Sequence, residues 1–277
     1  MEKILYVTDA VKLNRVALEF ACYLCNLTHS KLTGVFLENK ELELRSGEYI
    51  REMAEIPEVP GAELAGQKEL YRDDSICRFR NICEVNGVNN ITHTMPGLPS
   101  VEVIKESRYA DLIVIDASSS FSWKTEAIPS SFVRSVLRQA ECPVVLAPES
   151  FDGIDEIVFA YNGSRASMFA IKQFTYLFPQ FRGHRVKLLS IIEERKTVRG
   201  DEEKLKEWLD CHYEKVSVTI SKDDNMKAGL LEKLFGNDST FIVMGAFGRS
   251  SLAELFIPNP AIPVVKLVTQ PIFISHY

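Results

Sequence analysis

The chain has 277 residues, of which 46% are hydrophobic, and this is enough apolar material for two domains with separate cores. Its formal net charge of −6 argues against a surface dedicated to nucleic acid or to anionic membranes, because such surfaces need clustered lysine and arginine. Met1 leads directly into a strand pattern without a cationic leader, and no apolar run approaches membrane-spanning length. We therefore expect a cytoplasmic protein that binds neither nucleic acid nor membrane.

The first half of the chain alternates apolar strand patterns with amphipathic helix patterns. Residues 38–61 interrupt this alternation with mixed charges and prolines, which predicts an inserted loop. The predicted strands cover residues 4–9, 31–37, 91–95, 111–115 and 143–147, and the predicted helices cover residues 14–27, 62–85, 100–109 and 131–140. The first domain then spans residues 1–147, and residues 148–155 form a linker.

The second half repeats the same alternation and defines a second domain over residues 156–277. The predicted strands cover residues 157–161, 185–191, 216–220, 241–244 and 271–275, and the predicted helices cover residues 165–178, 202–214 and 226–235. Apolar strands that alternate with helices are typical of a parallel sheet covered on both faces. Ligands of such sheets bind beyond the carboxyl ends of the strands, where the strand order reverses.

Matching segments in the two halves indicate a tandem duplication. The strand that ends at Asp9 matches the one that ends at Asn162, and the segment containing Asp116 matches the segment containing Gly245. The predicted fold is therefore α/β, with two tandem doubly wound parallel five-stranded sheets. Residues 38–61 have no counterpart in the second half, which makes them a candidate for a specialised surface.

A glycine-containing loop follows the strand over residues 241–244. It reads Gly245-Ala-Phe-Gly248-Arg249-Ser250, and it resembles the phosphate loop of universal stress proteins. In that family, members that bind ATP carry Gly-x-x-Gly, nine further residues, and then Gly-Ser or Gly-Thr. Here Pro258 and Asn259 stand at the second position, and proline has no N–H to donate to a phosphate.

The resemblance implies one ligand crevice per domain, between the first and fourth strands. In the first domain Asp9 is kept, but Asp116 replaces the glycine loop, and a carboxylate there would repel a triphosphate. In the second domain Asn162 replaces the aspartate. The tentative nucleotide-binding residues are Asn162, Gly245, Gly248, Arg249, Ser250 and Asn259.

No catalytic or metal-binding constellation is recognisable in the sequence. The five histidines lack metal-ligand spacing, and a serine-nucleophile signature is absent. Cys22 and Cys25 stand in a Cys-x-x-Cys spacing, but they fall inside an amphipathic helix pattern, so we interpret them as packed thiols. Basic residues at 182, 184, 185 and 187 are interpreted as a solvated strand edge.

Three functions remain after this reading. The favoured one is a non-enzymatic stress-response or regulatory protein of the universal stress type that acts through ligand or partner binding. The alternative is an ATP- or ADP-binding module that uses the second domain, and a weak ATPase ranks third. The resemblance also implies that the two domains pair within the chain through residues 143–146 and 271–274, and a homodimer and an unknown protein partner are further expectations.

Overall fold

The computed structural model describes residues 1–39, 61–122, 125–192, 201–222, 239–245 and 269–275. The chain divides into two compact units, Glu2–Glu141 and Cys142–Tyr277, the second of which includes Met1. Residues 40–60 of the insertion predicted over 38–61, the helix predicted over 226–235, and Gly248, Arg249, Ser250 and Asn259 lie outside the described residues.

The first unit alternates strands and helices along the chain. Its elements are β1 (Lys3–Asp9), α1 (Arg15–Thr28), β2 (Lys31–Asn39), α2 (Gly61–Val85), β3 (Asn90–Gly97), α3 (Pro99–Ser107), β4 (Leu112–Ile115) and α4 (Ser131–Gln139). The strands are parallel and stand in the order β3-β2-β1-β4. All four residues of β4 are buried, and since side chains alternate between the faces of a strand, both faces of the sheet are covered.

The second unit follows the same plan. Its elements are β5 (Val144–Leu146), β6 (Glu156–Tyr161), α5 (Arg165–Leu177), a 3₁₀ turn (Pro179–Gly183), β7 (Arg185–Ile192), α6 (Asp201–Asp210), β8 (Lys215–Lys222), β9 (Thr240–Gly245) and β10 (Ile272–Ser275). The strands stand in the order β5-β10-β9-β6-β7-β8, and they are parallel except for β5, which runs antiparallel to β10. The predicted α/β fold class with parallel strands is confirmed.

The strand β5, predicted as the last strand of the first domain, falls within the second compact unit. Its three residues are buried, and they pair with Ile272, Phe273 and Ile274 of β10 inside the second unit. Residues 143–146 and 271–274 therefore lie side by side, as the sequence analysis predicted. The pairing satisfies main-chain groups that an open strand edge would leave unpaired.

Aromatic rings fill the core of the second unit. Phe174 of α5 is fully buried, and its ring centroid lies 5.1 Å from that of Phe241 on β9 and 5.3 Å from that of Phe273 on β10. Phe159 of β6 lies 5.8 Å from Phe174. Such edge-on ring pairs stabilise a core beyond their area burial, and they hold α5 against three neighbouring strands.

The start of α3 and the end of α6 differ from their predicted positions. The helix α3 begins at Pro99 with Leu98 as its N-cap, so Ser100 does not cap it, because proline is favoured in the first turn where its missing N–H is not needed. The helix α6 ends at Asp210, short of the predicted residue 214, because a turn through Tyr213 leads directly into β8.

Candidate functional site

Two aspartates stand at the carboxyl edge of the sheet in the first unit. Asp9 ends β1, and Asp116 follows β4, whose Ile115 pairs with Val7 of β1. The Oδ1 atom of Asp9 accepts a hydrogen bond of 2.7 Å from the Val11 main-chain N–H. The crevice expected between the first and fourth strands is thus bordered by two carboxylates.

The carboxylate of Asp116 is held by donors from two segments. Its Oδ2 accepts from the Asn14 side-chain amide at 2.5 Å, and its Oδ1 accepts from the Ser118 N–H at 2.8 Å and the Ser118 hydroxyl at 2.9 Å. Asn14 is the N-cap of α1, where its Oδ1 accepts from the Ala17 N–H at 3.1 Å. Asp116 therefore receives the kinds of donors that a bound phosphate would need.

A third carboxylate, that of Glu126, lies at the start of α4. Its Oε2 accepts from the Ser120 hydroxyl at 2.6 Å, and its Oε1 accepts from the Ser131 N–H at 3.3 Å. Burial alone would raise the pKa of Glu126, but the hydrogen bonds from Ser120 and Ser131 and the positive charge of Arg134 together outweigh burial and hold the pKa below its usual value. A helix N-terminus favours an anion, and here the protein supplies that anion itself.

Further donors at the start of α4 are also engaged. The Ser130 N–H donates to the Ala117 carbonyl at 3.1 Å, and its hydroxyl donates to the Ser119 carbonyl. The same hydroxyl accepts from the Val133 N–H at 3.1 Å and so caps α4. The loop after β4 is therefore closed onto the helix by hydrogen bonds within the protein.

The corresponding edge of the second unit is built around the start of α5. Asn162 follows β6, is exposed, and accepts a hydrogen bond at Oδ1 from the Ser164 N–H at 3.1 Å. Gly163 has φ of 76°, a conformation that glycine adopts without strain. Ser164 caps α5 by accepting from the Ser167 N–H at 3.1 Å.

Gly245, the last residue of β9, packs directly against this helix start. A Cβ atom added to it would lie 2.4 Å from both the carbonyl carbon and the oxygen of Ala166, and 2.5 Å from the nitrogen of Ser167. The close approach of strand to helix backbone therefore requires glycine at this position. Of the predicted binding residues, the structure brings Asn162 and Gly245 to the same first turn of α5.

Comparison with known proteins places this geometry in a known fold. No protein-family model and no curated protein matches the sequence. A universal stress protein from Archaeoglobus fulgidus is similar over 99% of this chain and 98% of its own, with 17% identity and a TM-score of 0.67. The chain has the universal stress protein fold. A putative universal stress protein from Pseudomonas aeruginosa is similar over 100% of this chain and 93% of its own, with 15% identity and a TM-score of 0.53.

Both solved structures match the chain over almost its full length, so the likeness covers both units. At this level of identity the likeness establishes the fold, and it confirms the architecture expected from the resemblance. The ligand-binding chemistry of each unit depends on that unit's own residues.

Sequence reasoning missed two residues that shape the first unit's site. Asn14 was predicted to begin α1, whereas it is the N-cap and bridges to Asp116. An asparagine directly before an apolar helix pattern is a recognisable capping signal. Glu126 stands in a loop whose sequence carries no comparable signal, because its partner Ser131 is brought to it by the turn through Pro129.

The described residues hold no cluster suited to a metal ion or to thiol chemistry. No group of three histidine, cysteine or carboxylate ligands is assembled within the described ranges. Cys22 and Cys25 are buried, and burial raises the pKa of Cys25 far above its usual value, so this thiol stays protonated and unreactive. In the part of the chain that the structure describes, no helix is both long and apolar enough to cross a membrane.

Proposed function

We propose that this protein acts without catalysis, as a stress-response or regulatory protein of the universal stress type that binds a ligand or a partner. The observation that supports the proposal is the position of two carboxylates at the carboxyl edge of the first unit's sheet. Asp116 and Glu126 occupy the loop after β4 and the start of α4, which are the two places where a polyphosphate would find main-chain donors.

The electrostatic cost supports this proposal. A unit charge about 4 Å from a like charge costs about 1 kcal/mol in water and about 4 kcal/mol at the effective dielectric of a protein surface. Two carboxylates would therefore oppose a triphosphate by several kcal/mol, which corresponds to at least two orders of magnitude in affinity. The first unit is proposed to bind no nucleotide.

The alternative function is binding of ATP or ADP by the second unit. Asn162 and Gly245 lie at the start of α5, and Asn162 offers both an acceptor and donors to a ribose or base. Gly248, Arg249, Ser250 and Asn259 would complete this proposed site. ATP cleavage is a weaker hypothesis, because no carboxylate can be assigned to a catalytic Mg²⁺ ion.

Calorimetric titration of the full chain with MgATP and MgADP tests both functions. The favoured proposal predicts no saturable binding and no phosphate release above a buffer blank. The alternative predicts that one equivalent of nucleotide binds per chain. Binding should be weaker in the Asn162→Ala and Arg249→Ala variants and unchanged in the matched variant Asp9→Ala. Two equivalents of bound nucleotide would contradict the proposal for the first unit, and sustained hydrolysis would contradict the proposal that the protein acts without catalysis.

A second experiment tests the electrostatic reason itself. In the double variant Asp116→Asn, Glu126→Gln both side chains keep their shapes but lose their charges. If charge excludes nucleotide from the first unit, this variant gains affinity for MgATP by about a hundredfold or more, which corresponds to about 3 kcal/mol. Unchanged titrations in a variant that keeps the parent's melting temperature would show that charge is not what excludes the nucleotide.

A further inference from the structure

The outer strand of the second unit is the basis of a further inference. The strand β8 spans the eight residues Lys215–Lys222, and it pairs with β7 over its whole length, from Arg185 beside Lys215 to Ile192 beside Lys222. It stands at the end of the strand order. Within the described residues its second edge therefore has no strand partner, and edge strands of this kind are templates for added strands.

The middle of β8 lacks the features that usually protect an edge. Residues 216–221 read Val-Ser-Val-Thr-Ile-Ser, without a charge, a proline or a glycine, and their register with β7 is unbroken. Ile220 is 41% exposed. Residues of this type have high strand propensity, and an exposed run of them readily pairs with another extended chain.

The edge strand of the first unit shows the contrast. The strand β3 contains Pro96 and Gly97, and proline cannot donate to an added strand. Its Thr92 hydroxyl accepts a hydrogen bond of 3.0 Å from the Arg80 guanidinium of α2. Of the two edges, β8 is the one with fewer obstacles to an added strand among the described residues.

Positive charge is concentrated at the start of β8. Arg182, Arg185 and Lys215 are exposed, and among the described residues none of the three forms an ion pair. Arg185 and Lys215 are direct neighbours across the two strands, where like charges repel each other. Two carboxylates lie nearby: Glu214, also exposed, precedes Lys215 in the chain, and Glu156 stands opposite Arg185 across β6 and β7. The three cations outnumber these two acids and would be stabilised by an anionic partner.

The lysines at the two ends of β8, Lys215 and Lys222, disfavour a second copy of this chain as the partner. Two copies of β8 paired antiparallel about a two-fold axis between Val218 and Thr219 would place Lys215 of each copy opposite Lys222 of the other. Directly opposed like charges destabilise a strand pair. A partner strand with acidic side chains instead meets the cations favourably.

We propose that β8 accepts an extended, acidic segment of a partner protein as an additional strand of the second unit's sheet. The main-chain groups of residues 216–221 supply the pairing, and Arg185 and Lys215 select for acidic side chains. This inference rests on the proposed binding role, and it identifies the surface and the class of partner.

The experiment uses a fluorescein-labelled peptide of four Glu-Val repeats and the full-length protein. We expect saturable binding by fluorescence anisotropy, weakening as salt rises from about 50 to about 500 mM. The Arg185→Glu and Lys215→Glu variants should each bind about fivefold more weakly, whereas Arg138→Glu, which changes an exposed arginine of α4 in the other unit, should bind as the parent does. In NMR spectra, the changes in backbone amide chemical shift on peptide binding should be largest in residues 216–221.

Two control peptides separate strand addition from simple charge attraction. A peptide with the same sequence but N-methylated at every residue keeps the charge and cannot pair as a strand, and four Lys-Val repeats keep the pairing and reverse the charge. Neither should bind. Equal binding of either control, no binding at millimolar peptide, or a dimer of the protein that Ile220→Lys dissociates would overturn the proposal, whereas the nucleotide titrations report on the proposed function independently.

Discussion

Replacing Gly245 with alanine should destabilise the second unit by about 3 kcal/mol, near the upper end of the range for overpacked cores. The added Cβ would lie 2.4 Å from the carbonyl group of Ala166 and 2.5 Å from the nitrogen of Ser167. These are main-chain atoms of the first turn of α5, which is anchored by the Ser164 cap and by the ring of Phe174. The helix would have to move by about 1 Å to reach an ordinary contact distance of 3.5 Å or so.

Urea denaturation followed by tryptophan fluorescence measures this effect. The chain has two tryptophans, so in a Trp123→Phe background the signal comes from Trp208 of α6, in the same unit as Gly245. Gly183→Ala is the matched control, because the nearest atom to its added Cβ is the Glu214 carboxylate at 4.0 Å. This control should stay within about 0.5 kcal/mol of the parent.

A Gly245→Ala variant as stable as the Gly183→Ala control would refute the packing argument. Gly245 would then be interpreted as a glycine whose missing side chain allows a phosphate to approach the backbone. A large loss of stability would instead show that the first glycine of the Gly-x-x-Gly pattern is required by packing whether or not a nucleotide binds. The motif would then count for less as an indication of nucleotide binding.

Three further predictions follow from individual contacts. Asp116→Ala leaves the Asn14 amide without its 2.5 Å partner and should lower the free energy of unfolding by about 1 kcal/mol; an unchanged urea midpoint would contradict this role. Deleting residues 151–277 removes β10 and uncovers β5, so the remaining first half should dimerise or aggregate in sedimentation experiments, and a well-behaved monomer would count against the pairing. Burial raises the pKa of Tyr213 to about 12 although its hydroxyl is bonded to Thr175; the unfolded tyrosine ionises near pH 10, so stability should be complete below about pH 10 and fall as pH rises toward 12, with a shallower loss in Tyr213→Phe.

Local patterns in the sequence predicted most of the elements. The helix expected over residues 165–178 is observed as Arg165–Leu177, and the strand expected over 271–275 is observed as Ile272–Ser275. These elements follow from hydrophobic periodicity and from serine caps, which act within a few residues of each other. The boundaries of α3 and α6 were less accurate, because a proline in the first turn and a tight turn before β8 decided them.

The sequence alone determined the alternation of strands and helices, the internal repeat, and the weakening of the phosphate pattern at Pro258 and Asn259. Each of these depends only on neighbouring residues or on a simple spacing along the chain. Only the tertiary structure decided that β5 runs antiparallel to β10, that Asn14 holds Asp116 from 102 residues away, and that Gly245 touches the backbone of α5. Such contacts depend on the order of strands in a sheet and on where a helix crosses it. Those properties arise from burying many side chains at once, so no local stretch of sequence specifies them.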